Sequence, residues 1–386
     1  MNWTTAVCAV LCSLGLSAFA HAAADLAVPS PPQVDARNYI LIDYASGQVL
    51  ANSKDDQRIE PASLTKLMTC YVVFQALKDG RLKLDDPVTI SEHAWRAEGS
   101  RTFVQVGSKV PAEVLIKGMI VQSGNDATIA LAERVGGTES AFVELMNQYA
   151  KRLGMTATHF EDSSGLPSPT HYSTAKDLSL LSAALIRDFP QYYPWYSLRE
   201  FVWNNIKQQN RNGLLDRDPT VDGIKTGHTD SAGYCLISSA KRQDTRLIAV
   251  VLGSRSMRAR EDASAALLNY GFTFYETISV KKRGEVVLKP RVYKGNEEFV
   301  AVGTATAVNI TVPRGVGGAA GAGGIETSAN VQRPLLAPLD PKIAVGQLQI
   351  SVGGKLVAQV PLYPLTPVAR GGFWSRLSDT VLLWFH

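Results

Sequence analysis

The sequence predicts an α+β domain joined to a smaller all-β domain. Strand patterns stand near both ends of the first 280 residues, five helical patterns lie between them, and strand-like runs dominate after about residue 280. Strands at both ends with helices between imply one sheet built from the two chain ends. At about 150 residues per domain, 386 residues suit two or three domains.

Residues 1–24 carry no Asp, Glu, Lys or Arg. Ala6 to Ala20 is a short apolar run, and Ala20-His21-Ala22 and Ala22-Ala23-Ala24 have the small-x-small form of a cleavage site. This reads as a secretory signal peptide removed near 22–24, although its first residues lack the usual basic side chain. The prolines at 29, 31 and 32 mark a linker. Asn38 to Ser53 reads as a hairpin turning at Ala45-Ser46-Gly47. A helix is expected from about Ser63 to Leu77, with further helices at 111–121, 125–135, 138–153 and 174–187. Strands resume at Gly233 and Arg246, and a helix near 259–275 closes the unit. In the second domain, Leu348 to Val360 reads as a hairpin across Gly353-Gly354. Gly315 to Gly324 is almost all Gly and Ala and reads as a loop insert, because it has too little to bury.

The last fourteen residues place Phe373, Trp374, Leu377, Val381, Trp384 and Phe385 at helical spacing, with Ser375, Arg376, Ser378 and Asp379 largely opposite. At about 1.5 Å per residue this helix spans roughly 21 Å, too short for a ~30 Å hydrocarbon core. It reads as an amphipathic helix lying on a membrane surface. The alternative is a helix docked on its own protein.

Lys and Arg number 39 against 35 Asp and Glu, a net +4 that gives no nucleic-acid footprint. The four cysteines include no C-x-x-C, and the histidines form no metal-ligand cluster, so neither metal nor cofactor is expected. Cys8 and Cys12 leave with the signal. Cys70 and Cys235 stand in apolar runs and read as buried thiols, with a disulfide between them as the alternative.

Ser-x-x-Lys occurs four times, at Ser63/Lys66, Ser173/Lys176, Ser238/Lys241 and Ser279/Lys282. Among these, Ser63 opens a strongly apolar helix. Spacing i, i+3 sets Ser63 and Lys66 on one face, and the helix start adds partial positive charge and free N–H groups. A Ser hydroxyl needs a base, and a Lys amine supplies one when burial and another cation lower its pKa. Lys225, in Lys225-Thr226-Gly227, is a candidate for that cation. A third group is Ser123-Gly124-Asn125. The order Ser63, Ser123, Lys225 is the three-part signature of penicillin-binding proteins and class A β-lactamases, with Gly124 where the signature has Asp.

The chain resembles the D-alanyl-D-alanine carboxypeptidases among the low-molecular-mass penicillin-binding proteins. The likeness extends to Glu60-Pro-Ala-Ser-Leu-Thr-Lys66, Gln122-Ser-Gly-Asn-Asp126, Asn210-Arg-Asn-Gly-Leu-Leu215 and Val221-Asp-Gly-Ile-Lys-Thr-Gly-His-Thr229. It implies an antiparallel sheet flanked by helices, a helical subdomain, a small all-β domain and an amphipathic tail. The expected organisation is signal peptide 1–24, serine D,D-peptidase domain 25–280, β-rich domain 281–370 and membrane-surface helix 371–386.

The resemblance also implies roles. Ser63 attacks the carbonyl between two terminal D-alanines of a peptidoglycan stem peptide, Lys66 takes its proton, and Ser123 relays a proton to the leaving D-alanine. Asn125 holds Lys66 and the substrate amide. Lys225 adds positive potential, Thr226 contacts the substrate carboxylate, and the amides of Ser63 and His228, next to Gly227, form an oxyanion hole. Arg260 matches an arginine that reaches the free carboxylate, with Arg211 as a second candidate. β-Lactams are expected to acylate Ser63, and the expected location is the periplasmic face of the inner membrane. A β-lactamase would need a water-activating acid in 160–177, where Glu161 and Asp162 stand without a following Glu-x-x-Leu-Asn. A cross-link endopeptidase and an inert wall-binding scaffold are the other readings.

Overall fold

The computed structural model describes residues 28–316 and 324–385. The predicted signal peptide and most of the Gly/Ala insert lie outside them. The first domain runs β1 (Asn38–Asp43), β2 (Val49–Ser53), α1 (Lys66–Lys78), β3 (Pro87–Thr89), α2 (Glu92–Trp95), β4 (Lys109–Pro111), α3 (Ala112–Val121), α4 (Asn125–Gly136), α5 (Glu139–Arg152) and α6 (Ala175–Asp188). It continues with β5 (Glu200–Trp203), β6 (Ile206–Gln209), α7 (Leu214–Arg217), β7 (Val221–Thr229), β8 (Gly233–Arg242), β9 (Thr245–Ser254) and α8 (Met257–Phe274). Five strands form one antiparallel sheet in the order β2-β1-β9-β8-β7, so the two ends of the domain do build a single sheet.

Period-two alternation decides which residue faces which layer. Ile40, Ile42, Ile248, Val250 and Leu252 join the core shared with α1 and α6. Leu41, Leu247, Ala249 and Val251 face the opposite way, onto Leu267 and Leu268 of α8. Because both faces of β9 are covered, Leu247 to Leu252 reads as an unbroken apolar run instead of an alternating one. Helix α1 is central: from Lys66 to Phe74 every residue is buried. Its sequence therefore carries no polar stripe. Thr138, Thr174 and Ser256 cap α5, α6 and α8, accepting from Ala141, Asp177 and Ala259 backbone N–H. Each satisfies a donor that the helix start leaves free.

One strand of the sheet differs from expectation. The sequence reading resumes strands at Gly233, yet β7 runs from Val221 to Thr229. Gly223, Gly227 and the polar Lys225, Thr226 and His228 break any alternation in this segment. Its extended form is fixed by register with β8 from Val221↔Ala240 to Thr229↔Gly233. Helix α1 also begins later than predicted, since Ala62–Thr65 forms a 3-10 turn ahead of it.

The second domain contains β10 (Tyr275–Lys281), β11 (Val286–Leu288), β12 (Val292–Tyr293), β13 (Val302–Thr304), β14 (Val308–Pro313), β15 (Ile325–Val331), β16 (Leu335–Leu336), β17 (Gly346–Val352) and β18 (Lys355–Pro364). A sheet of order β11-β13-β18-β17-β15 stands beside the β10–β14 pair over a core that includes Val302, Ile310, Leu348, Ile350 and Leu362. Gly353 and Gly354 close the β17–β18 hairpin at φ +57° and +76°, which suits a two-residue turn. Strand β10 leaves α8 directly and pairs with β14. The first domain reaches this pair through Asp43, which accepts from Thr277 Oγ1 at 2.5 Å, and through Ser46 Oγ, 2.6 Å from Thr311 Oγ1.

Helix α9 (Phe373–Leu382) carries the predicted tail, followed by a short 3-10 turn. Its polar side docks on the β domain: Asp379 accepts from Lys294 N–H, and Ser375 Oγ donates to Gly295 O at 3.1 Å. Phe373, Trp374, Leu377, Val381 and Trp384 remain exposed. Among the described residues no helix is long and apolar enough to cross a membrane.

Phe74, fully buried in α1, stacks on Tyr192 at 4.9 Å and meets Phe189 at 5.5 Å between ring centroids. Phe74→Ala should destabilise the first domain by about 3–5 kcal/mol in denaturant unfolding. A loss below about 1 kcal/mol would show that this cluster does not anchor α1.

Candidate active site

Seven segments meet at one cavity of about 280 Å³, lined by Ser63, Ser100, Ser123, Arg211, Thr226, Gly227, His228, Tyr234, Met257 and Arg260. Ser63 enters from the 3-10 turn, Ser123 from the α3–α4 junction, Thr226 to His228 from edge strand β7, and Arg260 from the first turn of α8. Two non-glycine residues beside the reacting groups adopt left-handed backbone, Ala62 at φ +49° and Ser123 at φ +65°. Such conformations cost about 1–3 kcal/mol each and persist where surrounding structure enforces them.

Lys66 Nζ lies 3.1 Å from Ser63 Oγ and donates to the Ser164 carbonyl at 2.6 Å. Its side chain is 1% exposed. Burial pulls its pKa down to about 7; Asp162 opposes this and Arg211 assists it. The predicted nucleophile and base are therefore adjacent, and the base exchanges its proton near neutrality. Lys225 is also buried, and burial with Lys66 as neighbour pushes its pKa well below the usual lysine range. Two ammonium groups so placed repel each other, so they titrate as a pair.

Ser123 Oγ is buried and has no hydrogen-bond partner among the described residues. An unpaired buried hydroxyl is costly, and a substrate that fills its bond recovers that cost. Asn125 differs from expectation in its contacts. Its Nδ2 donates to Glu98 O at 2.6 Å, while Lys66 bonds Ser63 and Ser164, leaving Asn125 Oδ1 unpaired among the described residues.

Gly124 has a steric reason. A Cβ there would stand 2.0 Å from Thr102 Oγ1, so no side chain fits. The neighbouring Asp126, wholly buried, accepts the Thr102 and Phe103 N–H groups at 2.7 and 2.8 Å. It thereby pins the loop that carries Ser100.

Gly227 packs tightly as well, since a Cβ would meet Leu64 Cγ and Pro61 O at 3.2 Å. This contact sets β7 against the turn bearing Ser63. The exposed His228 ring lies over Tyr234 at 4.0 Å between centroids, outside hydrogen-bond geometry with Ser63. Arg260 is 3% exposed and donates to the carbonyls of Gly227 and Cys235 at 3.4 Å and of Arg211 at 3.1 Å. Its buried Nε is left without a partner among the described residues. Arg211 is exposed at the cavity rim.

Sequence reasoning did not find Ser100, Tyr234, Met257 or the Ser164 carbonyl. Glycine-rich turn signals at Gly99 and Gly165 mark two of those loops but say nothing of where they fold. Cys70 and Cys235 are free buried thiols, whose pKa values burial raises to about 12 and about 11. No cluster of potential metal ligands occurs among the described residues.

A serine in contact with a buried lysine, beside the edge strand of an antiparallel sheet, is the arrangement of a serine acyl-transferring hydrolase of penicillin-binding type. Residues 25–256 match the D-alanyl-D-alanine carboxypeptidase family, and residues 275–370 match the penicillin-binding protein 5 C-terminal domain. The chain belongs to the D-alanyl-D-alanine carboxypeptidase family of serine hydrolases. It is 43% identical to D-alanyl-D-alanine carboxypeptidase DacA of Escherichia coli K12 over 366 residues, covering 93% of this chain and 90% of the relative. The structure of penicillin-binding protein 5 from Haemophilus influenzae is similar, with TM-score 0.83 and 40% identity over 89% of this chain and 100% of that one. Penicillin-binding protein D2 of Listeria monocytogenes, solved in its ampicillin-bound form, matches with TM-score 0.59 and 30% identity over 63% of this chain and 100% of that one.

The Lys66 pKa near 7 sets a pH dependence. Below it the amine carries a proton and cannot accept one, so acylation of Ser63 by a fluorescent penicillin should slow about tenfold per pH unit and level off above it. Stopped-flow rates across that range check this; a flat profile would remove Lys66 as the base.

Proposed function

We propose that this protein removes the terminal D-alanine from peptidoglycan stem pentapeptides through an acyl-enzyme on Ser63. The observation that carries this reading is the 3.1 Å contact between a hydroxyl and an amine that burial keeps near its titration point. As Ser63 Oγ bonds to the penultimate carbonyl carbon, its proton passes to Lys66. The C–N bond to the last D-alanine then breaks, and the leaving amine receives a proton relayed through Ser123. Water next attacks the ester, a proton returns to Ser63 Oγ, and the shortened peptide departs as a carboxylate.

The oxyanion of each tetrahedral intermediate is assigned to the backbone amides of Ser63 and His228. Losing one such donor typically costs about 10²–10³ in rate. Asn125 is assigned to the substrate amide, its unpaired Oδ1 offering an acceptor. Thr226 and the Arg260 guanidinium are assigned to the terminal carboxylate. A carboxylate arriving beside Lys225 favours its ammonium, so substrate binding supplies the positive potential that burial withholds. Gly227 keeps β7 close enough to serve as the substrate's guide strand. A penicillin amide carbonyl is expected to follow the same first steps and remain on Ser63.

The assignment of domains follows: residues 1–24 direct export, 25–280 carry the chemistry, with their last strand β10 already paired into the next domain, 281–370 form a β spacer, and 371–386 lie on the outer face of the inner membrane. Supporting the last point, α9 is held to the protein through the buried Asp379 and through Ser375, and leaves Phe373, Trp374 and Trp384 exposed at 70%, 78% and 82%.

Two experiments test this. Wild-type protein given a pentapeptide should release one D-alanine by mass spectrometry, while Ser63→Ala should release none and lose labelling by fluorescent penicillin. Retained labelling would move the nucleophile elsewhere, and cleavage of a cross-linked dimer in preference to the pentapeptide would make the enzyme an endopeptidase. Deleting residues 371–386 should shift the protein from the membrane to the soluble periplasmic fraction. Retention on membranes would overturn the tail assignment.

A further inference from the structure

The acidic pair in the loop after α5 has no part in the steps above. Glu161 is exposed and meets His159 Nε2 at 2.9 Å. Asp162 turns inward. Its Oδ1 accepts from Ser164 N–H at 2.7 Å, Gly165 N–H at 2.6 Å and Ser164 Oγ at 3.0 Å, and its Oδ2 accepts from Leu166 N–H at 3.1 Å. Four donors converging on one carboxylate fold residues 162–166 into a single turn. The carbonyl that this turn presents inward is that of Ser164, the acceptor of Lys66.

The same carboxylate reaches the catalytic segment by a second route. His171, 1% exposed, has Nε2 2.9 Å from Thr65 Oγ1 in a hydrogen bond, while its Nδ1 stands 3.4 Å from Asp162 Oδ2, within ion-pair distance but outside hydrogen-bond geometry. Thr65 is wholly buried and lies in sequence between Ser63 and Lys66. Phe160 packs edge-on against the His171 ring at 5.7 Å. Along α1, Thr69 Oγ1 donates to Ser163 O at 2.6 Å. Gly165 adopts φ +91° and passes so close to the catalytic turn that a Cβ would stand 1.8 Å from Ala62 O. The loop is thus a strap bound to the residues before, between and after the reacting pair.

A neutral amine has two N–H bonds and one lone pair. Donating one N–H to a fixed carbonyl limits rotation about Cε–Nζ, and the lone pair can then be aimed at one acceptor of a proton, here 3.1 Å away on Ser63. We infer that Asp162 and His171 are positioning residues: through the 162–166 turn and the Thr65 hydroxyl they hold the Ser164 carbonyl on Lys66, and so aim its lone pair at Ser63. The inference rests on Ser63 and Lys66 acting as proposed above.

The charges around Lys66 make it testable beyond a structural role. Asp162 and Asp126 favour the ammonium, Arg211 and Lys225 disfavour it, and the Cys70 thiol lies one turn along α1. Replacing Asp162 by Asn removes the largest opposing charge, so Lys66 should lose its proton at lower pH.

The experiment is the pH profile of the second-order acylation rate with fluorescent penicillin, with melting temperatures, for wild type, Asp162→Asn, His171→Phe, His171→Gln and Thr65→Val. Asp162→Asn should lower the plateau about tenfold, the effect of one lost hydrogen bond, and move the acid limb to lower pH. His171→Phe and Thr65→Val should lower the plateau by a similar factor, and His171→Gln, which keeps a donor and an acceptor, should recover most of it. A wild-type plateau and limb in Asp162→Asn, or equal losses in His171→Phe and His171→Gln, would overturn the inference. Should Asp162→Asn not fold, the His171 pair and Thr65→Val decide alone. If Ser63→Ala still takes the label, the reaction assignment itself falls. If Ser63 is labelled normally and these variants match wild type, the positioning claim alone falls.

Discussion

The catalytic segment depends on holding an amine in the protein interior without a full countercharge. Removing a lysine from water disfavours its ammonium, and here that penalty brings the Lys66 pKa down to about 7, where the amine suits the role of base proposed for it. A salt bridge at van der Waals distance would restore the ammonium and end the reactivity. The structure satisfies the amine with a neutral carbonyl, that of Ser164, and keeps Asp162 behind it, spent on four other donors. Lys225 is a second buried amine, and the repulsion between the two lysines helps to hold its pKa down.

Close approach is the second requirement, and glycines meet it where a side chain would clash, at Gly165 and Gly124, or crowd its neighbours, at Gly227. Gly165 brings the strap onto Ala62, Gly227 brings β7 onto the 3-10 turn, and Gly124 lets the Ser123 junction pack on Thr102. Each of three segments far apart in sequence therefore touches its neighbour backbone to backbone. The left-handed Ala62 and Ser123 are the strain that accompanies this convergence. Asp126 and Asp162 act alike, each gathering the free N–H groups of a loop that would otherwise not hold its shape beside the cavity.

What could be read in advance was whatever depends on local pattern. The β1–β2 hairpin, the helices over 138–153 and 174–187 and the central helix are written in alternation, turn residues and apolar runs. Ser63, Lys66 and Lys225 were legible because motif order constrains them jointly. Strand β7 was not, because an edge strand that serves a cavity has Lys, Thr, Gly and His where an ordinary strand alternates, and its form comes from pairing with β8. The bond from Asn125 to Glu98, the Ser164 carbonyl and the backbone contacts of Arg260 were also invisible. All three involve main-chain oxygens, which any residue provides, so sequence marks none of them.

The same strap bears on the β-lactamase reading. A fast β-lactamase must deacylate quickly, and class A enzymes do so with a carboxylate acting through water, a task that suits a free lone pair and a pKa near the working pH. Asp162 has the position in sequence but neither property. Although burial alone would raise its pKa, the His171 contact and the backbone N–H donors outweigh it and hold the carboxyl down at about 2. At that value the carboxylate is a weak base, and its lone pairs are engaged by the Ser164, Gly165 and Leu166 amides. Glu161 is turned to the surface with His159. An ester on Ser63 therefore faces a cavity whose available base is Lys66 itself, the group that has just taken the hydroxyl proton. For a peptide, the departing D-alanine carries that proton away and restores the amine. A penicillin's leaving nitrogen stays tethered to its acyl group, keeping the cavity filled at the place water must enter. On the proposed mechanism one hydroxyl therefore meets both molecules by the same first step, and they differ in whether the leaving group departs from the cavity or stays in it.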